Sequence, residues 1–237
     1  MKYGQIAESK RINSAIYSCF DYVREEDQRR FVKKFREQPH DSDLIMHTFR
    51  ELVLGAYLYS SGLRLTYEYR VEGKTPDWAI LDDCGGLAGI IDLVNFHIDQ
   101  KTESEMEDQL RATGVSLPHW RDGNKDNVQR LYSSIQFKIA EYLALVRKLG
   151  VPYAVAIFPD FLAAIDFGEV LRCMYNESGL FKLYQELSGV LFFEENAGRY
   201  YFKYERNPNA LHQFRLPSGT LDLHRDYEGQ EGNRTKE

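Results

Sequence analysis

The residue with the most chemical content is an acid inside an apolar strand. In Ile90-Ile91-Asp92-Leu93-Val94, strand alternation puts Asp92 on the same face as Ile90, Val94 and Phe96. An unpaired carboxylate on such a face is costly, so Asp92 calls for a metal ion, a cationic partner or a raised pKa. The ordinary alternative is a buried ion pair. Upstream, Thr75-Pro76-Asp77 carries a second acid. Asp77 by itself says less, since Pro-Asp is a common turn pair; Pro159-Asp160 reads as such a turn. Two acids on neighbouring strands can point at one spot and hold a hard divalent cation such as Mg²⁺ or Mn²⁺, which takes oxygen ligands. Such an ion can orient and acidify a water for attack on a phosphodiester and neutralise charge on the leaving oxygen.

The elements that must position these acids can be read from apolar spacing. Residues 1–40 form an N-terminal helical segment: Ile12, Ile16 and Phe20 recur at a four-residue step, and Phe31, Val32 and Phe35 sit among Arg29, Arg30, Lys33, Lys34 and Arg36. With acids interleaved, that basic run reads as a solvated helix face rather than a nucleic-acid patch. Ile45, Phe49, Leu52, Ala56 and Tyr59 mark a helix with one buried face, ending at Gly62. Strands are expected at 63–71, 75–81 and 87–97, the last apolar enough on both faces to be central. Segment 98–126 is polar and reads as an insertion or lid with a short helix near 105–112; Trp120, Arg121 and Lys125 in it can cover nucleic acid or belong to a plain surface loop. A long helix at 127–149 carries the stripe Leu131, Ile135, Ile139, Tyr142 and Val146, and a buried strand at 152–158 follows. Helices at 167–176 and 179–188 and a hairpin at 190–204 around Asn196-Ala197-Gly198 complete a C-terminal extension, 167–223, packed on an α/β core, 41–166. Residues 224–237 have almost no apolar side chains and read as a disordered tail.

Composition narrows the class. The 237 residues are 43% hydrophobic and 14% aromatic, enough for a packed core. The net charge of −6 argues against a wholly basic nucleic-acid coat but leaves room for a local basic cleft. Cys19, Cys84 and Cys173 are an odd, scattered set, which excludes a disulfide scaffold and a four-cysteine zinc site and fits a reduced, cytoplasmic setting. No apolar run is long enough to span a bilayer, and no signal core follows Met1. Glycine-rich phosphate loops, Gly-x-Ser-x-Gly and a clustered histidine set are all missing from the sequence.

The order of features resembles the PD-(D/E)xK nuclease superfamily, with its restriction-endonuclease-like mixed sheet flanked by helices. The resemblance spans about residues 43–160, and its matches are Glu51 on the first helix, Pro76-Asp77, and Asp92-Leu93-Val94. It implies a divalent-metal-dependent nuclease-like protein hydrolysing phosphodiester bonds, with Asp77 and Asp92 on Mg²⁺ or Mn²⁺ and Glu51 assisting. Val94 departs from the pattern, because it stands where the family has a lysine that stabilises the pentavalent phosphate and helps orient the water. The best substitute is Lys138 on the following helix, with Lys74, before Asp77, second; both can also be ordinary snorkelling lysines. Gln136 matches a polar helix position that can hold a nucleic-acid backbone or a metal-bound water. His47, one turn before Glu51, reads as a surface partner of it, and Tyr142 as a core tyrosine.

Val94 and the acidic total also fit a second reading, a catalytically inactive nuclease-fold domain that binds nucleic acid or a protein partner. A third is an assembly role: Tyr200, Tyr201, Phe202 and Tyr204 fall in one strand, one face serving the core and the other a homodimer contact.

Overall fold

The computed structural model describes residues 9–38, 42–97, 108, 112, 123–160 and 163–223. The expected lid at 98–126, with Trp120 and Arg121, and the expected tail at 224–237 therefore lie almost wholly outside the described residues; Lys125, expected in the lid, instead falls in a helix that begins at Gly123. Among the described residues no helix is long and apolar enough to cross a membrane.

Helices α1 (Lys10–Phe20), α2 (Glu25–Glu37) and α3 (Ser42–Ser60) precede strands β1 (Leu65–Tyr67), β2 (Trp78–Leu81) and β3 (Leu87–Phe96). Helix α4 (Gly123–Leu149) leads to β4 (Tyr153–Pro159), then α5 (Phe167–Tyr175), α6 (Leu180–Leu183), β5 (Leu187–Asn196), β6 (Arg199–Arg206) and β7 (Gly219–Asp222). All seven strands form one mixed sheet in chain order. β3, β4 and β5 run parallel to one another, with antiparallel neighbours on both sides. The C-terminal strands thus continue the same sheet edge to edge.

Strand alternation divides the core into two layers. Ile91 and Leu93 face a cluster built on α1, α2 and α3 with Phe31, Leu52, Trp78, Phe193 and Phe202. Ile90, Val94 and Phe96 face a second cluster built on α4 and α5, with Leu131, Ile135, Ile139 and Val155. The result is a mixed α/β sheet with helices on both faces.

Several elements differ from the sequence-based expectation. Helix α3 is buried on every side from Thr48 to Leu58 rather than on one face, because α1 and α2 cover its outer surface. The expected strand at 63–71 is cut to Leu65–Tyr67, since Glu68 turns the chain with φ 49° and a Val71–Lys74 bridge closes a second turn. The expected helix at 179–188 is one turn, Leu180–Leu183. By Leu187 the chain is already in β5, where Ser188 Oγ accepts from Tyr153 N at 3.0 Å. The hairpin turn is as expected, with Ala197 (φ 52°) and Gly198 (φ 84°) both left-handed. Strand β7 has four residues with one buried side chain, Leu221, too short a pattern to mark a strand in the sequence.

The open edge of β1 is closed by side chains of α2. Asp27 Oδ1 accepts from Tyr67 N at 3.1 Å, and Arg24 and Arg30 donate to the carbonyls of Leu65 and Tyr67. This satisfies edge groups that would otherwise invite another strand, and it docks α2 beside the head of β2.

Candidate functional site

Asp77 and Asp92 are held on neighbouring strands by two backbone-to-carboxylate bonds. Asp77 N donates to Asp92 Oδ1 at 3.3 Å, and Leu93 N donates to Asp77 Oδ2 at 2.7 Å. The antiparallel register explains this: Trp78 pairs with Ile91, so the residue before Trp78 lies beside Asp92. Asp92 is fully buried, and its Oδ2 has no hydrogen-bond partner among the described residues.

Lys138 reaches this pair from α4. Ile135, Ile139 and Tyr142 form the buried stripe of that helix, and Lys138 lies at its edge. The stem can run over apolar surface while the ammonium turns inward. Its Nζ lies 3.7 Å from Asp92 Oδ1. Lys74 stands at the rim, 3.4 Å from Glu141 Oε1 and over the Tyr142 ring.

Glu51 comes from α3 and is 1% exposed. Its Oε1 meets His47 Nε2 at 3.0 Å, and its Oε2 meets Lys34 Nζ at 2.9 Å and the Tyr67 hydroxyl. The helix-surface pair expected for His47 and Glu51 does form, but over a buried carboxylate. Trp78 ties this group to β2, its indole donating to the Glu51 carbonyl at 2.9 Å.

Electrostatics join the two groups. Burial, then the charge of Glu51, pushes Asp77 up to about 6 against the pull of Lys138. Burial, then the charge of Asp77, pushes Asp92 up to about 8, again against Lys138. Burial works against the charge of Glu51 too, but the hydrogen bond from His47 and the charge of Lys34 outweigh it, and the carboxyl is held down at about 2. For Lys138, burial is outweighed by Asp92, Asp77, Glu141 and Glu51, which keep the ammonium protonated. Carboxyl groups of Glu51, Glu68, Asp77, Asp92 and Glu141 are therefore set against the ammoniums of Lys34, Lys74 and Lys138.

No family model matches the chain. No curated protein and no solved structure matches it either.

The sequence-derived candidates separate clearly. Glu51, Asp77, Asp92 and Lys138 come into one electrostatic cluster. Gln136 does not: two residues from Lys138, it faces away around the helix, and its amide donates to the Tyr184 hydroxyl at 2.9 Å. Its expected contact with backbone phosphate or metal-bound water has no support in that placement. Val94, where the family lysine would stand, is 6% exposed and packs in the α4 cluster. Asp160, read as a plain turn residue, is 3.2 Å from Arg50 Nη2. Lys34, expected on a solvated face, is instead the cation on Glu51. The signal was present: Asp27, Phe31 and Lys34 fall at i, i+4 and i+7, one helix face whose first two members are fully buried.

The donor set suits a hard cation only in part. Among the described residues no group of three or more His, Cys, Asp or Glu side chains is gathered around one point. Asp77 and Asp92 supply two carboxyl groups, and the buried Asp92 Oδ2, without a hydrogen-bond partner among the described residues, is a position a cation can take once the carboxyl is ionised. Mg²⁺ is commonly bound by one or two carboxylates, with water and substrate phosphate completing its shell.

Proposed function

We propose that this protein is a divalent-metal-dependent phosphodiesterase of the PD-(D/E)xK nuclease type, acting on nucleic acid at the Asp77–Asp92 pair. The observation that carries the reading is the approach of the Lys138 ammonium to buried Asp92, whose other oxygen has no hydrogen-bond partner among the described residues, with Asp77 bonded beside it on the neighbouring strand. The run α3-β1-β2-β3-α4-β4, with β4 parallel to β3, supports a restriction-endonuclease-like core.

In this reading Asp77 and Asp92 would hold Mg²⁺ or Mn²⁺, which supplies charge neutralisation and a more acidic bound water. Lys138 would serve in place of the missing family lysine, approaching Asp92 from the helix instead of the strand. Its ammonium balances the carboxylates in the resting protein and offers a positive charge to a non-bridging phosphate oxygen as negative charge builds there. Glu51, fixed and ionised beside the pair, assists. Burial of the carboxylates makes each of these interactions stronger than in water.

The test is cleavage of end-labelled single- and double-stranded DNA and RNA with Mg²⁺ or Mn²⁺, comparing the protein with Asp77→Ala, Asp92→Ala and Lys138→Met. Metal-dependent cleavage lost in all three variants supports the reading. Binding of nucleic acid without cleavage by the unaltered protein would favour the catalytically inactive nuclease-fold domain.

A further inference from the structure

We propose that Lys34 is a positioning residue of this site: from a helix outside the run that carries the acids, it fixes the rotation of the Glu51 carboxylate and leaves one acceptor position open, on Oε1. The inference rests on the phosphodiester reading above and adds to it a residue that the family pattern does not contain.

An ionised carboxylate offers about four acceptor positions, two on each oxygen. On Glu51, Lys34 Nζ at 2.9 Å and the Tyr67 hydroxyl occupy Oε2, while His47 Nε2 at 3.0 Å takes one position on Oε1. Among the described residues nothing takes the remaining Oε1 position. The ammonium is fully engaged in turn. Its three protons meet Glu51 Oε2, Tyr67 Oη at 2.6 Å and Glu68 Oε1 at 3.1 Å, so none is left for a substrate phosphate. Lys34 therefore acts through Glu51 and not on the substrate.

The lysine is itself held in place by its helix. Asp27, Arg30 and Lys34 all meet Tyr67, at its amide, its carbonyl and its hydroxyl. Their spacing puts them on one face of α2, so the N-terminal helix is clamped to β1 at the residue that also touches Glu51. An open Oε1 position on a fixed, ionised carboxylate can accept a hydrogen bond from the water that attacks the phosphodiester. Orienting that water affects turnover more than substrate binding.

The experiment is a double-mutant cycle on the full chain: unaltered protein, Lys34→Met, Glu51→Gln and the double variant. Each is assayed for Mn²⁺-dependent oligonucleotide cleavage, Mn²⁺ binding and thermal melting. Misplacing a group that orients the reacting atoms costs about a hundredfold, so Lys34→Met should lower kcat by about that factor with KM and Mn²⁺ affinity within about threefold. In the Glu51→Gln background the same change should cost nothing further. Equal cost in both backgrounds, an unchanged kcat, or a raised KM with kcat preserved would each overturn the proposal. If Lys34→Met does not fold, Lys34→Gln runs the same cycle with the same criteria. Unaltered protein that neither cleaves any substrate nor binds Mn²⁺ would remove the phosphodiester reading itself, a result distinct from active protein indifferent to Lys34.

Discussion

The Lys138 ammonium lies 3.7 Å from Asp92 Oδ1, reaching from the edge of the α4 stripe down onto a strand whose next inward residue is the buried Val94. Strand and helix thus share one ammonium–carboxyl contact across the second core layer. Lysine at position 94 would have to thread its stem past Ile135 and Leu131, which cluster with Val94; the helix position avoids that crowding.

Lys138→Met removes that charge and keeps most of the stem. Loss of a preorganised charge at a developing oxyanion costs about 10²–10³ in kcat. The expected outcome is that loss under saturating Mn²⁺, with the fold retained by circular dichroism.

Stability in the absence of metal should carry the mark of Asp92. Burial and Asp77 raise its carboxyl from 3.8 to about 8, so the folded state holds the proton more tightly than the unfolded chain. That contribution is complete below about pH 4 and is lost as pH rises through 8, because the unfolded state deprotonates first. Asp92→Asn should therefore match the unaltered protein at pH 4 and exceed it at pH 9 in chelator. The gain is on the order of a few kcal/mol, at about 1.4 kcal/mol for each pH unit separating the folded and unfolded titrations. Urea unfolding at the two pH values measures it.

Metal binding should show the opposite trend. A carboxylate must lose its proton to ligate, and Asp77 and Asp92 are pushed up to about 6 and about 8. Mn²⁺ affinity should rise by up to about tenfold per pH unit between pH 6 and 8 and level off above, as expected for a proton released on binding. Titrations across that range, each with its proton release, check it.

The site depends on close approach of α3 to β2. A Cβ on Gly55 would lie 1.9 Å from Trp78 Cζ2, and Trp78 is the residue after Asp77. Gly55→Ala forces the indole to move and should destabilise by about 1–3 kcal/mol, the range for overpacked cores. Tryptophan fluorescence during urea unfolding reports both the loss and the displaced ring.

Much of this arrangement was readable in the residues, for identifiable reasons. Asp92 stood out because alternation placed it among Ile90, Val94 and Phe96, and a charge on an apolar face needs a partner. Lys138 could be placed because a clean stripe fixes the angular position of its neighbours. For Gln136, two residues away, the spacing leaves a site role and a flanking polar role open, because it shows which residues share a face and not what covers that face; here Tyr184 does. Lys34 was missed for a related reason. Its inward face contains Asp27, a charged residue, so the stripe looked polar until Tyr67 and Tyr59 supplied partners for that carboxylate. β1 is shorter than the strand expected at 63–71 because Glu68 adopts a left-handed conformation that its side chain does not advertise.

The measurement that bears most directly on the central claim is calorimetric titration of Mn²⁺ into the full chain at pH 8, repeated on Asp92→Ala. The account predicts saturable binding by the unaltered protein, accompanied by proton release, and none by the variant. Equal binding by both proteins would place the metal away from Asp77 and Asp92 and contradict it.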